Sequence, residues 1–430
     1  MEITQKSKNY LYGSLSFFLI FTAWAIWWGF FQIWLTSDAG GIKLNGTQVG
    51  TFFSFYAIFT VIVLFLYGTL QDRFDLRRHL LIFISILVIC CGPFFTFVFR
   101  PLITQNLILG SMLGSCYLSF GFSGAIAISE AYLGRFCVRA EIIFGRMRVW
   151  ASFGYALALF TAGFIFTINP LLIFWVSSLL GVLLLSLQIF WKVEISAINI
   201  SQKTVVSENS PAMSMWQEVL LILRDKKLWV VMLFSLCTWS LYQIYEAQMF
   251  PDFFTSYFVD SAEGQRVFGI FVGIQTTAES LLMSIVPIVL AKYGVKKTLT
   301  ASAVIMCVIV FGSAFAVSLF TVMATKIFHA LLAPLLLLGL MEYVTQHFDL
   351  RFTATIYLIG FYVTSYAGNI ILSRPLGILR DMLGYQGVFI IFGIIMAFGI
   401  FVGIFGFEKD EARKVKNEIS ECSDVNATTW

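Results

Sequence analysis

The 430-residue chain is 59% hydrophobic and 12% charged, with 46 Phe, 16 Tyr and 11 Trp and a formal charge of +4. Ordinary soluble domains carry about 25% charged residues, so this composition excludes a soluble globular fold and points to a polytopic membrane protein. The seven cysteines fall singly or as Cys90-Cys91 without CxxC spacing, which predicts free thiols and no metal site.

A helical span of the bilayer core needs about 20 apolar residues at about 1.5 Å per residue. Runs of that kind are expected, in chain order, at 10–36, 47–70, 78–99, 103–133, 145–168, 170–191, 228–250, 265–291, 297–317, 318–346, 352–375 and 385–407. Continuous runs such as LLIFISILVICCGPFFTFVF do not alternate as barrel strands do. The fold class is therefore all-α, with twelve transmembrane helices. The first run follows MEITQKSKNY and is too long and too poor in small residues for a cleaved signal peptide, so it is expected to stay as a span.

Orientation follows from the basic residues. With the N-terminus inside, only Lys43, Arg100, Arg266, Arg374 and Arg380 of the 28 Lys and Arg lie outside, and only Arg148 and Lys326 lie within spans. This bias predicts a multi-pass protein of the inner (plasma) cell membrane with both termini cytoplasmic. The net charge reflects topology and not a nucleic-acid partner, because no basic patch is interleaved with base-stacking aromatics.

The long polar stretch VEISAINISQKTVVSENSPAMSMWQEV separates two sets of six spans. The expected domains are a six-helix bundle at 1–192, a cytoplasmic linker at 193–227, a second bundle at 228–407 and a cytoplasmic tail at 408–430. Equal halves joined by a linker suggest a transporter with its substrate site near the bilayer midplane between the halves. The loop GTLQDRFDLRR, residues 68–78, looks like the signature of the major facilitator superfamily. Gly68 would allow close helix approach, and Asp72 and Arg73 form its acid–base pair. Asp75 departs from it, standing where glycine is usual, and AKYGVKK at 291–297 is a degenerate copy.

A charge at mid-membrane costs roughly 2.5–3.5 kcal/mol on insertion scales, which makes Glu130, Arg148, Glu246, Glu279, Lys326 and the span-ten imidazole His329 the candidates for function. Glu130 and Arg148 each lie nine residues from Arg139 in the loop between spans four and five. Both then sit roughly 13 Å from the loop tip, at one depth on antiparallel helices. A carboxylate beside a guanidinium offers a sugar both acceptors and a rigid fork of donors; a structural ion pair is the other reading. Glu246 and Lys326 both fall in the outer part of the membrane and can neutralise each other. Glu279 is near the middle of span eight, with His329 or Arg148 as its remaining partners. Span one carries Trp24, Trp27, Trp28 and Trp34, but adjacent Trp27 and Trp28 cannot both face one cavity.

Four stretches carry a wider resemblance: FGRMRVWASFGYALALFTAGFIFTINP at 144–170, FFTSYFVDSAEGQRVFG at 253–269, KIFHALLAP at 326–334 and FDLRFTATIYL at 348–358. With them the chain resembles, over nearly its whole length, the oligosaccharide:proton symporter family of the major facilitator superfamily. The resemblance implies an alternating-access carrier, not an enzyme, that takes up a disaccharide or small oligosaccharide as a functional monomer. It implies no cofactor, with a proton as co-substrate. Glu130, Arg148, Tyr155, Glu279 and His329 match the family's sugar-binding positions, Trp24 and Ser123 lie near other cavity positions, and Glu246 with Lys326 resembles its charge pair between helices seven and ten. Three positions depart. The family's proton-carrying glutamate falls at Leu332, its helix-nine arginine at Ile309, and its helix-eleven lysine at Ser365. Leu332 cannot titrate, so symport with the proton at Glu279 or His329 and an uncoupled facilitator both stay open. A transporter-derived sugar sensor is a third reading.

Overall fold

Hydrocarbon offers no water to satisfy backbone N–H and C=O groups, so a chain crossing it must satisfy them within each segment. The computed structural model describes residues 5–38, 40–74, 79–191, 222–349 and 352–408, and among these the regular elements are helical. In chain order they are α1 (Gln5–Thr36), α2 (Gly46–Phe74), α3 (His79–Ile89 with Cys91–Gln105), α4 (Leu107–Arg139), α5 (Phe144–Ile168), α6 (Leu172–Phe190), α7 (Lys226–Thr255), α8 (Ser261–Leu282 with Val286–Tyr293), α9 (Val295–Ala314) and α10 (Leu319–His347). The last long helix, Thr355–Gly406, contains a break at Gly384. It therefore counts as α11 (355–383) and α12 (385–406), giving twelve spanning elements among the described residues.

The breaks have identifiable causes. The Gly384 backbone stands at φ 73°, ψ 178°, a left-handed region that only glycine enters at no steric cost. α3 bends by 42° just before Pro93, and α8 bends by 55° just before Pro287, since proline removes a helical donor and crowds the preceding turn. At the first bend the Gly92 N–H donates instead to Ser178 Oγ at 2.7 Å. α11 runs about two turns further than the sequence suggests and carries Arg374, Arg380 and Asp381 inside its last turns.

The chain divides into two compact units, the first holding 1–210, 243–280 and 366–388 and the second 211–242, 281–365 and 389–430. Residues 193–221 of the expected linker and 409–430 of the expected tail lie outside the described residues. In the first unit, the α1 side chains Trp27, Phe31 and Trp34 are buried against Phe95 and Phe99 of α3 and Phe174 of α6, with Phe95 and Phe174 stacked at 4.2 Å. Helices in lipid gain little from hydrophobic transfer and associate through close contact at small residues. Gly154 of α5 is such a point. A Cβ there would stand 2.5 Å from Thr22 Oγ1 and 2.8 Å from the Phe18 carbonyl of α1. In the second unit, Leu228, Val344, Ile356 and Ile222 form a small apolar core. The end of α12 is held nearby by Lys296 Nζ donating to the Phe407 carbonyl at 2.6 Å and by Lys227 Nζ at 2.8 Å from Glu408 Oε2.

Gly68 does not provide the close helix approach expected of it. It is exposed, and a Cβ on it would meet nothing within 4 Å among the described residues. Asp72 and Arg73 belong to the last turn of α2, and their side chains lie outside the described residues.

The two glycines should therefore separate under mutation. Gly154→Leu overpacks the α1–α5 contact at a cost of about 1–3 kcal/mol, read as a clear fall in thermal midpoint in detergent. Gly68→Ala should not lower that midpoint, since it meets no described neighbour and improves helix propensity.

Candidate functional site

α4 and α5 run together in the first unit and bring Glu130 and Arg148 into contact, with Arg148 Nε donating to Glu130 Oε1 at 2.8 Å. The side chains remain 34% and 38% exposed for Arg148 and Glu130 respectively. Where water reaches it, a pair that open contributes about 0–1 kcal/mol to stability. Only Nε is engaged. Arg148 Nη1 and Nη2 and Glu130 Oε2 have no protein hydrogen-bond partner among the described residues. The guanidinium carbon lies 4.5 Å from the Phe21 ring centroid and 6.0 Å from that of Phe17, which fixes its plane through cation–π attraction.

Aromatic rings continue the site. Tyr155 lies two turns beyond Arg148 on α5, and its ring meets Trp24 edge-on at 5.4 Å. Trp28 stands 5.9 Å from Trp24 and 5.7 Å from Tyr56 of α2, and the Tyr56 hydroxyl hydrogen-bonds Ser123 Oγ. Ser123 closes a π-helical turn, Ser119–Ser123, in α4. The Trp24 Nε1 donor is occluded and has no hydrogen-bond partner among the described residues. Glu279 of α8 and Glu246 of α7 lie in the same compact unit as Tyr155. Trp24, Ser123, Glu130, Arg148, Tyr155, Glu246 and Glu279 thus all belong to the first unit. Of the adjacent pair, Trp27 is fully buried in the aromatic core and Trp28 is the partly exposed member that joins the site.

Lys326 and His329 belong to the second unit, on either side of a break in α10 at residues 327–328. Lys326 is fully buried and His329 is 9% exposed. Tyr242 of α7 bridges them: Lys326 Nζ donates to its hydroxyl oxygen at 3.2 Å, and that hydroxyl lies 2.5 Å from His329 Nδ1. The tyrosine oxygen accepts from the ammonium, and its bond to the imidazole can run in either direction according to the histidine tautomer. The Tyr242 and His329 rings also stack, 5.4 Å apart. Glu246 and Glu279 fall in a different unit from Lys326 and His329.

Leu332 and Ile309 are both fully buried, and Ser365 Oγ bonds back to the Phe361 carbonyl, so none of the three departing positions offers a titratable group. Tyr56 in the first unit and Tyr242 in the second are functional candidates that sequence reasoning misses. A signal exists for Tyr242, which lies one turn before Glu246 on the same span, but a lone tyrosine in an aromatic-rich helix does not stand out.

A family model describing the LacY proton/sugar symporter matches residues 2–420. The chain belongs to this family. Among curated relatives it is 30% identical over 409 residues to the sucrose permease of Escherichia coli, covering 95% of this chain and 96% of that one. It is 31% identical over 393 residues to the raffinose permease of the same organism, covering 91% of each. With the melibiose permease of Enterobacter cloacae it shares 32% identity over 387 residues, covering 90% of each. These relatives are permeases, not enzymes, and this family member is a multi-pass membrane permease. Its fold is that of the nucleoside transporter NupG, with a TM-score of 0.75 at 16% identity over 95% of this chain and all of that one. The D-xylose-proton symporter gives 0.67 at 13% identity over 94% and 98% of the two chains.

The Tyr242 bridge makes a direct expectation. Tyr242→Phe keeps the ring and removes one hydrogen bond each from Lys326 and His329. Losing a buried partner costs about 1–3 kcal/mol, so the thermal midpoint in detergent should fall, while Tyr56→Phe, on a partly exposed bond, should lower it less.

Proposed function

We propose that the protein carries a disaccharide or small oligosaccharide across the cytoplasmic membrane by alternating access, its termini on the cytoplasmic side. The observation that carries this reading is the half-engaged Glu130–Arg148 pair: two guanidinium nitrogens and one carboxylate oxygen without a protein partner among the described residues, in a partly exposed position against Phe21, from which ring contacts lead on to Trp24 and Tyr155. Adjacent sugar hydroxyls both donate and accept, so they can bond the guanidinium fork and the carboxylate together. Pyranose rings have apolar C–H faces that suit Tyr155 and Trp24. Glu279, in the same compact unit, supplies a second carboxylate.

Proton coupling is the favoured mode, with the proton on Glu279 or His329. Tyr242 would then report the charge state of His329 to Lys326, because a protonated imidazole can no longer accept the tyrosine proton. The second reading, an uncoupled facilitator, is favoured by one specific observation: Leu332 and Ile309 are both buried apolar residues where the family pattern has an acid and a base. Losing both together strands neither charge, so the sugar site could persist without the coupling site.

Sugar added to a lightly buffered suspension of cells making the protein should raise the external pH as protons enter. Uptake of labelled sugar with no pH change, over a panel of disaccharides, would select the facilitator. Arg148→Lys replaces the fork by a point charge and should weaken sugar binding at least about tenfold, the scale of one charge-assisted hydrogen bond. Glu130→Gln should weaken it comparably, and unchanged affinity in both variants would remove this pair from the site.

A further inference from the structure

The first turn of a helix leaves backbone N–H groups without partners, and the start of α2 shows where each one goes. Asn45 and Gln48 form a reciprocal cap: the Gln48 N–H donates to Asn45 Oδ1 at 2.9 Å and the Asn45 N–H to Gln48 Oε1 at 3.0 Å. The Val49 N–H makes the first helical bond, to the Asn45 carbonyl. Gly46 and Thr47 remain, and their protons are both taken by one residue more than 330 positions away. Asp381, in the last turns of α11, accepts from the Gly46 N–H on Oδ1 and from the Thr47 N–H and hydroxyl on Oδ2, all at 2.7 Å. Its carboxylate stands at the positive end of the α2 dipole, where negative charge is favoured.

A second feature shows that the chain is built for this contact. A Cβ on Gly46 would lie 2.5 Å from Asp381 Oδ1 and 2.7 Å from the Gly377 carbonyl, and one on Gly377 would strike the Gly46 carbonyl. One turn further along α2, a Cβ on Gly50 would strike the Ser373 backbone. The missing side chains allow the two helices to come close enough for Asp381 to reach the α2 amides. Ser373 is fully buried behind this contact and accepts from Gln248 Nε2 of α7 at 2.9 Å. A neighbouring carboxylate, Asp252 of α7, is tied to α1 and α12 by Thr36 Oγ1 at 2.9 Å and the Tyr385 hydroxyl at 2.6 Å.

We propose that Asp381 is the outer latch of the carrier: its carboxylate, seated on the Gly46 and Thr47 amides, keeps α11 against α2 at the end of the bundle that the charge bias places outside. The latch suits a reversible step. Asp381 is 29% exposed, so water can take over its hydrogen bonds and those of the two amides as the helices part, and no buried polar group is stranded in the open form. The nearby Arg380 Nε, 3.6 Å from Oδ1, gives the carboxylate a partner on its own helix after release. The proposal rests on the alternating-access reading, because only a carrier must open this end in every cycle.

The test uses Ser373→Cys as a reporter in cells, labelled by a membrane-impermeant maleimide and read by mass spectrometry at the peptide containing residue 373. With Asp381 intact, labelling should be slow. Asp381→Ala in the same background should speed it at least about fivefold from outside and not from inside in inverted vesicles. Asp381→Asn should give a smaller rise, and Thr47→Val, which removes only the hydroxyl donor, about twofold. Where Asp381→Ala does not yield folded protein, Asp381→Asn decides in its place. An unchanged rate in a folded Asp381 variant, or a rise confined to the inner side, overturns the latch. Labelling does not require sugar, so this outcome is distinct from a failure of sugar flux in the native chain, which would overturn the transport reading instead.

Discussion

The cost of a charge in hydrocarbon organises this protein. With 12% charged residues overall, each ionisable group in a span must have a partner or an opening to water, and the structure supplies both kinds of solution. Lys326 is fully buried and contacts both the oxygen and the ring of Tyr242. Arg148 and Glu130 are paired but partly open, which leaves donors and an acceptor for a ligand. The two solutions thus differ in burial, one closed and one partly open.

Aromatic packing makes the open pair possible. The buried face of α1 contributes Trp27, Phe31 and Trp34 to a cluster with α3 and α6, which fixes the rotation of α1 about its axis. The opposite turns then place Phe21 on the guanidinium and Trp24 on Tyr155. Glycines do the corresponding work between α5 and its neighbours. At Gly154 the α1 backbone approaches α5, and at Gly269 a Cβ would stand 2.8 Å from the Leu159 carbonyl. Packing that positions the helices therefore also positions Arg148 and Tyr155, and the two requirements fall on different faces of the same elements.

The three departures from the family pattern fit this scheme. Leu332, Ile309 and Ser365 sit in buried positions, where an unpaired charge would be expensive. The same unit keeps the Lys326–Tyr242–His329 arrangement, in which one hydroxyl links a permanent cation to a titratable ring.

Much of this is legible in the sequence. Hydropathy is a local property that adds along the chain, so the twelve spans, the all-α class and the family can be read directly, and the 18-residue separation of Glu130 and Arg148 is enough to place them at one depth. Partners are harder to read, because they depend on how each helix is rotated about its axis. The π-helical turns at Phe94–Phe99, Ser119–Ser123, Leu236–Ser240, Tyr245–Met249 and Leu358–Val363 each insert a residue and rotate the facing of the downstream helix by about 100°. A helical wheel drawn through them assigns the wrong neighbours. Only the tertiary structure chose Trp28 over Trp27, inserted Tyr242 between Lys326 and His329, and showed that Gly68 meets no described neighbour while Gly46 receives Asp381. The sequence alone determined which charges needed an explanation; their contacts were decided by helix rotation and close approach, which no local pattern encodes.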